Sequence, residues 1–503
     1  MKSRWFNYRP LCIVFVFLLL GSVFVFYLSD YRILSIITTI IIFVFLLILT
    51  IIRKKIKYIL IPLISFIVGA ILYYSSVSSF QKEIEIPNSI QARIYNVNSI
   101  EDGRIKVYDD SCIFDGVEIN ENLIIYVYDS SNLFENIEIG SVISFSPSNF
   151  YQTDLFYYGT PNASYYLKGL KYSATANASE INYLQTDKTF AEKLKQYVKD
   201  NLRGSLTNEN VEIAYSSLFG EIELLSDSQY NAYKLSGVAH LLAVSGLHVV
   251  IIVGILNKIL DFLRIKNWPR IIIVSILLLF YMYICNFAVS IIRATIMSIV
   301  MLLAPKFFRE YDTLSSIALS GIIIYLINPL TAFDPGFLMS FACVIGIATL
   351  NKPIASALSH CKMPKWLIDS ISISASTMIS LIFIMAHFFN TLNAISLIAN
   401  LILIPIFTFA FIAVFIVSII GLILPFITII LYPINYVFDF INVVATILGN
   451  LPISNFSTVS FSYIAILLYA MLLLILSRVC VANRTTKVIL SLPTVALLVV
   501  CLV

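Results

Sequence analysis

Charge is scarce in this 503-residue chain. Asp, Glu, Lys and Arg make up 12% of it, against roughly 25% in soluble domains, while 59% of the residues are hydrophobic. So little polar surface cannot coat a globule, and an apolar excess of this size has to face lipid. A soluble enzyme and a disordered scaffold are both excluded, which leaves a polytopic membrane protein with room for one modest soluble domain. Histidine is rarer still, with four in the chain, too few for a His-rich metal cluster, and no cofactor is required by any motif. The seven cysteines (Cys12, Cys112, Cys285, Cys343, Cys361, Cys480, Cys501) contain no CxxC pair, so no zinc or disulfide framework is written in them. Cys112 stands alone between residues 81 and 205, which forbids a disulfide within that stretch. A GxxxxGK[ST] loop is also missing, so a driving force has to come from a separate motor or from the membrane potential.

What is present begins with three apolar runs, Leu11–Leu28, Ile33–Ile52 and Tyr58–Val77. Each is near the roughly 20 residues a helix needs to cross the hydrocarbon. The first follows Lys2, Arg4 and Arg9 in the manner of a signal peptide. It has no small-residue cleavage site and another long run follows, so it reads as an anchor. Those basic residues and the Arg53-Lys54-Lys55-Lys57 cluster two crossings later mark the cytoplasmic side, which sends the third run outward.

Residues 81 to about 205 change character. Alternating β-branched and aromatic stretches appear at Ile90–Ile100, Arg104–Phe114, Leu123–Tyr128, Val142–Phe145 and Tyr165–Ala176, separated by turns such as Glu101-Asp102-Gly103. Five short strands in this space predict a small closed or nearly closed β-barrel of OB type. Its aromatics, among them Tyr126, Tyr128, Phe145, Phe150 and Tyr151, are of the kind that stack bases; the plainer reading makes most of them barrel core. The stretch carries 11 Lys and Arg against 17 Asp and Glu, which counts against tight phosphate binding there. A polar helical connector follows at Thr189–Leu202.

From about 237 the chain is apolar again. Crossings are predicted at Val238–Phe262, Ile271–Asn286, Ile291–Ala304, Thr313–Ile327, Gly336–Leu350 and Leu367–Phe388. One or two more lie in Ala394–Leu424, followed by Ile427–Val444, Tyr463–Leu476 and Val488–Val503, with Pro405, Pro425 and Pro433 interrupting the later runs. The fold class is therefore a polytopic α-helical membrane protein with an extracytoplasmic, OB-fold-like small β-barrel inserted after the third transmembrane helix. Its expected parts are 1–80 (three helices), 81–188 (β domain), 189–236 (connector) and 237–503 (multi-helix membrane domain). The N-terminus is expected in the cytoplasm.

Polar residues inside these apolar runs are the candidates for function, because in lipid each needs a partner within the protein. The densest set is Gly237-Val-Ala-His240-Leu-Leu-Ala-Val-Ser245-Gly246-Leu-His248. A continuous helix would put His240 and His248 on one face. A break at Gly246 would instead set Ser245 and His248 on an irregular, cavity-lining segment. Interhelical hydrogen bonding with close packing at the glycines is the bland reading. Arg293 lies inside a crossing, where an unpaired charge costs at least roughly 2.5–3.5 kcal/mol. Asp334 is either its partner or the N-cap of a helix starting at Pro335. His387, Asn390, Asn393 and Asn400 form a weaker third group.

The segment His-Leu-Leu-Ala-Val-Ser-Gly-Leu-His resembles the hallmark of the ComEC competence proteins. Ser290-Ile-Ile-Arg293-Ala294, Asp334-Pro335-Gly336-Phe337 with Ser340-Phe341, and His387-Phe388 with Leu397-Ile-Ala-Asn400 follow in the family's order, and the architecture matches over nearly the whole chain. The resemblance implies an inner-membrane channel that passes single-stranded DNA into the cytoplasm during natural transformation. It implies a path formed by His240, Ser245, Gly246, His248, Arg293, Asp334, Ser340, His387 and Asn400. The implied partners are single-stranded DNA, a cytoplasmic DNA-translocating ATPase or helicase, an extracytoplasmic DNA receptor, the bilayer, and further copies of the chain. Many members carry a metallo-β-lactamase-like nuclease domain; the histidines here cannot supply its His-x-His-x-Asp-His cluster, so that step is expected either to be absent or to reside on another polypeptide. Two rivals remain: an intramembrane serine hydrolase using Ser245 with His248 or His387, and a transporter of a small solute or lipid.

Overall fold

Apolar runs of this length fold as helices because a helix satisfies every backbone N–H and C=O within its own segment. The structure, a computed structural model, describes residues 9–30, 57–80, 86–100, 104–119, 122–128, 139–152, 156–157, 160–161, 170–222, 225–452, 454–458, 461, 463–476, 491–492 and 494–495. The predicted crossing Ile33–Ile52, the Arg53-Lys54-Lys55 cluster and most of Val488–Val503 lie outside these residues.

Helices α1 (Pro10–Asp30) and α2 (Lys57–Phe80) pack against each other at Gly21 and Gly69. A Cβ on Gly21 would overlap the Phe66 carbonyl, and one on Gly69 would overlap that of Leu18. Small residues permit this approach. The sheet domain follows, with β1 (Ile90–Ile100), β2 (Arg104–Phe114), β3 (Val117–Ile119), β4 (Asn122–Tyr128), β5 (Ser141–Phe145), β6 (Asn149–Gln152), β7 (Phe156–Tyr157), β8 (Thr160–Pro161), β9 (Leu170–Asn177) and β10 (Asn182–Thr186). The strand order is β10-β5-β1-β2-β4-β9-β6, with β3 added on β2 and β7 paired only with β8. Pairing is antiparallel except between β4 and β9. Among the described residues the path is open, from β10 at one edge to β6 at the other. Period-two alternation sends Ile90, Ile94, Val107, Ile125, Ile143 and Ala174 into one core. Phe150 stacks on Tyr172 at 5.3 Å, and Phe114 meets both rings edge-on. Those aromatics fill the core.

Helix α3 (Phe190–Arg203) begins with a capping box, Thr189 Oγ1 accepting from Glu192 N and Glu192 accepting from Thr189 N. Arg93 of β1 also donates to the Glu192 carboxylate and, through Nε, to the Asp187 carbonyl at 2.9 Å. Ala191, Lys195, Val198 and Leu202 repeat at helical spacing and are buried. With residues of α4 (Asn208–Phe219) and α5 (Asp227–Leu235), Val198 and Leu202 enter the main core of the helical region, so the connector is part of the bundle. The Lys195 ammonium meets Glu221 at 2.7 Å, Asn210 donates to Asn435 and Asp439, and the Tyr233 hydroxyl donates to Asn442 at 2.7 Å.

The remaining helices are α6 (Gly246–Phe262), α7 (Asn267–Ile284), α8 (Val289–Leu303), α9 (Thr313–Ile327), α10 (Pro335–Leu358), α11 (Lys365–Phe389), α12 (Ser396–Gly421), α13 (Ile434–Gly449) and α14 (Tyr463–Leu476). Among the described residues, seven segments are long and apolar enough to cross a membrane. An eighth forms if the turn Pro425–Leu431 and α13, bent by 47°, count as one span. This is a multi-pass membrane protein.

Of the one or two crossings expected in Ala394–Leu424, the structure has one, the helix α12. Two expectations need correction. Ile427–Val444 is broken at Pro433, which lacks the N–H a continuing helix would use. Val238–Phe262 opens with a 3-10 turn at Ala239–Leu241, and its α-helix starts only at Gly246. A short ribbon of β11 (Thr391–Asn393) and β12 (Asn455–Ser457) joins the ends of α11 and α13. At the opposite chain end Arg9 makes a bidentate pair with Asp312, the N-cap of α9, at 2.8 and 2.9 Å.

Candidate functional site

Between α5 and α6 the backbone turns at Gly237 (φ +78°), whose Cα lies against Ser396, and then forms the short 3-10 turn. Asn393 and Asn455 hold the turn from the ribbon, donating to the Lys234 carbonyl at 2.7 Å and the Leu235 carbonyl at 3.1 Å. His240 sits exposed on the 3-10 turn, so it does not share a helical face with His248.

Ser245 has extended backbone angles and caps α6. Its N–H donates to His248 Nδ1 at 2.9 Å, and its hydroxyl lies 3.2 Å from the same nitrogen. A backbone donor on Nδ1 requires a lone pair there, which in the neutral imidazole places the proton on Nε2. His248 is 1% exposed, with its ring 4.4 Å from Phe411 and 6.2 Å from Phe407. As a nucleophile–base dyad this pair is poorly set, because the lone pair that would take the serine proton already accepts the Ser245 amide. Its evident work is to start the helix.

Helix α8 crosses this point. Ser290 Oγ donates to the Val244 carbonyl at 2.7 Å, and three residues on, Arg293 brings its guanidinium onto Gly246. A Cβ at Gly246 would lie 2.7 Å from Arg293 Nη2, so glycine is what lets the charge reach the opening turn of α6. Arg293 is 5% exposed. Its Nη1 donates to the Ser340 carbonyl, its centre lies 5.8 Å over the Phe341 ring, and its Nε has no partner. Among the described residues no carboxylate pairs with it. Asp334 is the N-cap of α10, accepting from Phe337 N at 2.6 Å. The Ser340 hydroxyl is buried without a partner.

The structure thus brings Ser245, Gly246, His248, Arg293 and Ser340 together, with Asp334 at the start of the helix that supplies Ser340. His387 is bonded elsewhere, through Nδ1 to the Phe461 carbonyl near the end of α11. Asn400, half-buried on α12, has an unpartnered Oδ1 and no hydrogen bond to the cluster. Thr295, buried on α8 with an unpartnered hydroxyl, escaped the sequence reading; a polar residue in an apolar run was its available signal. Chemically the cluster offers donors and positive charge without a compensating acid.

Comparison with known proteins matches residues 217–482 to the family model described as "Competence protein". The chain is 27% identical over 216 residues to the ComE operon protein 3 of Bacillus subtilis, covering 43% of this chain and 27% of that protein. It is 23% identical over 258 residues to Recombination protein 2 of Haemophilus influenzae, covering 49% of this chain and 32% of that protein. The matches therefore span about a third or less of these relatives' own length. No solved structure matches.

Proposed function

The chain belongs to the competence protein family, and from that premise we propose that it carries DNA across the cell membrane as a single strand during natural transformation. The observation that supports this most is Arg293: a buried guanidinium with no paired acid among the described residues, seated on a glycine at a helix start. Such a charge inside a membrane domain suits a polyanion that passes and leaves. Gly246 would let the strand or a neighbouring backbone approach, with Ser245, His248 and Ser340 around it, and His240, Asp334, His387 and Asn400 elsewhere on the path.

In this reading the N-terminus and Arg9 face the cytoplasm and the sheet domain lies outside. That domain is read as OB-like from its mainly antiparallel strands around one core, and it receives the strand by stacking on exposed rings rather than by phosphate contacts, given its acidic balance. The proposed parts remain 1–80, 81–188, 189–236 and 237–503, although the connector packs with the bundle. A cytoplasmic ATPase or helicase, an outer DNA receptor and a separate nuclease would act with it. A small-solute or lipid transporter is the reading to beat.

Entry of labelled DNA into the cytoplasm, measured in Arg293→Ala with protein levels checked, tests the proposal. Uptake should fall sharply; wild-type uptake would remove Arg293 from the path. Labelling of Ser245 by a fluorophosphonate probe would instead favour a hydrolase.

A further inference from the structure

We propose that Arg293, Ser340 and the opening turn of α6 form a buried oxyanion site for one phosphate-sized group, filled by a free anion when no strand is present. The argument begins with like charges. The N-terminus of a helix carries roughly half a positive charge, and its first amides have no acceptor within the helix. The Arg293 guanidinium is pressed onto this same helix end, with Nη2 2.7 Å from the Cβ position of Gly246. Two positive groups meet in a place that is 5% exposed at Arg293, so water screens them little.

Nothing described in the protein balances that charge. The carbonyl of Ser340 accepts from Nη1 but carries no net charge. Asp334, at the start of the helix that carries Ser340, is engaged as the cap of α10. Two buried donors lack partners on the residues that meet here: Arg293 Nε and, on the residue whose carbonyl Arg293 already holds, the Ser340 hydroxyl. An anion received there would take the Nε–H, the Ser340 O–H and first-turn amides of α6. The planar fork of a guanidinium matches an oxyanion better than a spherical ion, and helix N-termini bind phosphate groups by the same amides.

Two sources can present this chemistry, inorganic phosphate and a phosphodiester of the strand. The strand's part rests on the transport reading above; the free anion's does not. A resting anion would hold the two positive elements together and would be displaced as a strand enters, so the site would be neutral both empty of DNA and full of it.

The test uses the full chain in nanodiscs of zwitterionic lipid, titrated calorimetrically with inorganic phosphate, then again with an oligothymidylate present. Wild type should bind one phosphate per chain. Arg293→Gln and Gly246→Ala should each weaken it at least about tenfold, the first by removing a charged donor and the second by displacing it. If Arg293→Gln fails to fold, judged by its melting curve, Gly246→Ala keeps the charge and carries the comparison. Saturating oligothymidylate should weaken apparent phosphate binding to a similar degree. Folded wild type that binds no phosphate, or variants that bind it as tightly as wild type, would overturn the site. If DNA entry nevertheless needs Arg293, the transport reading survives that loss. Phosphate binding that the oligonucleotide leaves untouched would keep the free-anion site and overturn the strand's share of it.

Discussion

The sheet domain and the helical bundle solve the problem of polar groups in opposite ways. In the sheet, strands pair through backbone ladders, and the buried positions Ile90, Ile94, Val107, Ile125 and Ile143 are apolar. In the bundle, side-chain donors and acceptors are buried without protein partners at His248, Arg293, Thr295, Ser340 and Asn400, among others. A buried polar group left unmatched costs about 1–3 kcal/mol. Three of them, His248, Arg293 and Ser340, belong to the cluster at the start of α6, in the part of the chain that matches the competence family, and such unmatched groups are what a site that trades stability for function is expected to hold.

The largest break in this comparison is expected at Arg293. Arg293→Gln should lower DNA entry by about 10–100-fold, the scale of one charged hydrogen-bonding group, with expression and melting little changed. A purely structural arginine would show the reverse, with melting affected first. The opposite control lies in the sheet. Ile94→Ala opens a cavity in a fully buried core and should cost about 2–5 kcal/mol. Limited proteolysis should then cut between residues 86 and 186 while the helical region stays resistant. Smaller again is Gly69→Ala, which puts a methyl into the Leu18 carbonyl at the α1–α2 crossing. It should cost about 1–3 kcal/mol, read as a lower melting temperature in detergent, without loss of phosphate binding at Arg293.

The smallest effect concerns pH. The Arg9 guanidinium, aided by Ser315 and opposed by partial burial, holds the Asp312 carboxyl down at about 2. A depressed carboxyl stabilises the fold above its unfolded value near 3.9 and loses that contribution as pH falls towards 2. The pair is partly exposed, so screening limits the gain to about 1 kcal/mol or less. Acid titration of thermal stability should show this step in wild type and a flatter curve in Arg9→Gln.

Local pattern explains which parts the sequence disclosed. Ile90–Ile100 and Arg104–Phe114 were legible to the residue because alternation and turn residues bound them. The polar stretch Thr189–Leu202 announced α3. Strand β10 was invisible, since all five of its residues are exposed and no alternation marks it. The start of α6 was ambiguous because a uniformly apolar run has no periodicity to fix a boundary; Ser245 with a polar residue three places on was the signal available. Arg293 and Gly246 could each be singled out as unusual in lipid. That one rests on the other depends on how α8 crosses α6, a contact between residues 47 apart in the chain, and no local rule contains it.

Glu192 has a mechanical consequence. It closes the first turn of α3 by accepting from Thr189, and it anchors the sheet domain by accepting from Arg93. Three residues later the same helix is tethered to Glu221 through Lys195, in the loop before α5. A pull on the sheet domain cannot be absorbed as slack between the two halves. It must either unwind that first turn or travel down α3 as a displacement of the loop before α5, so the domain is fitted to the bundle as a lever rather than hung from it on a string.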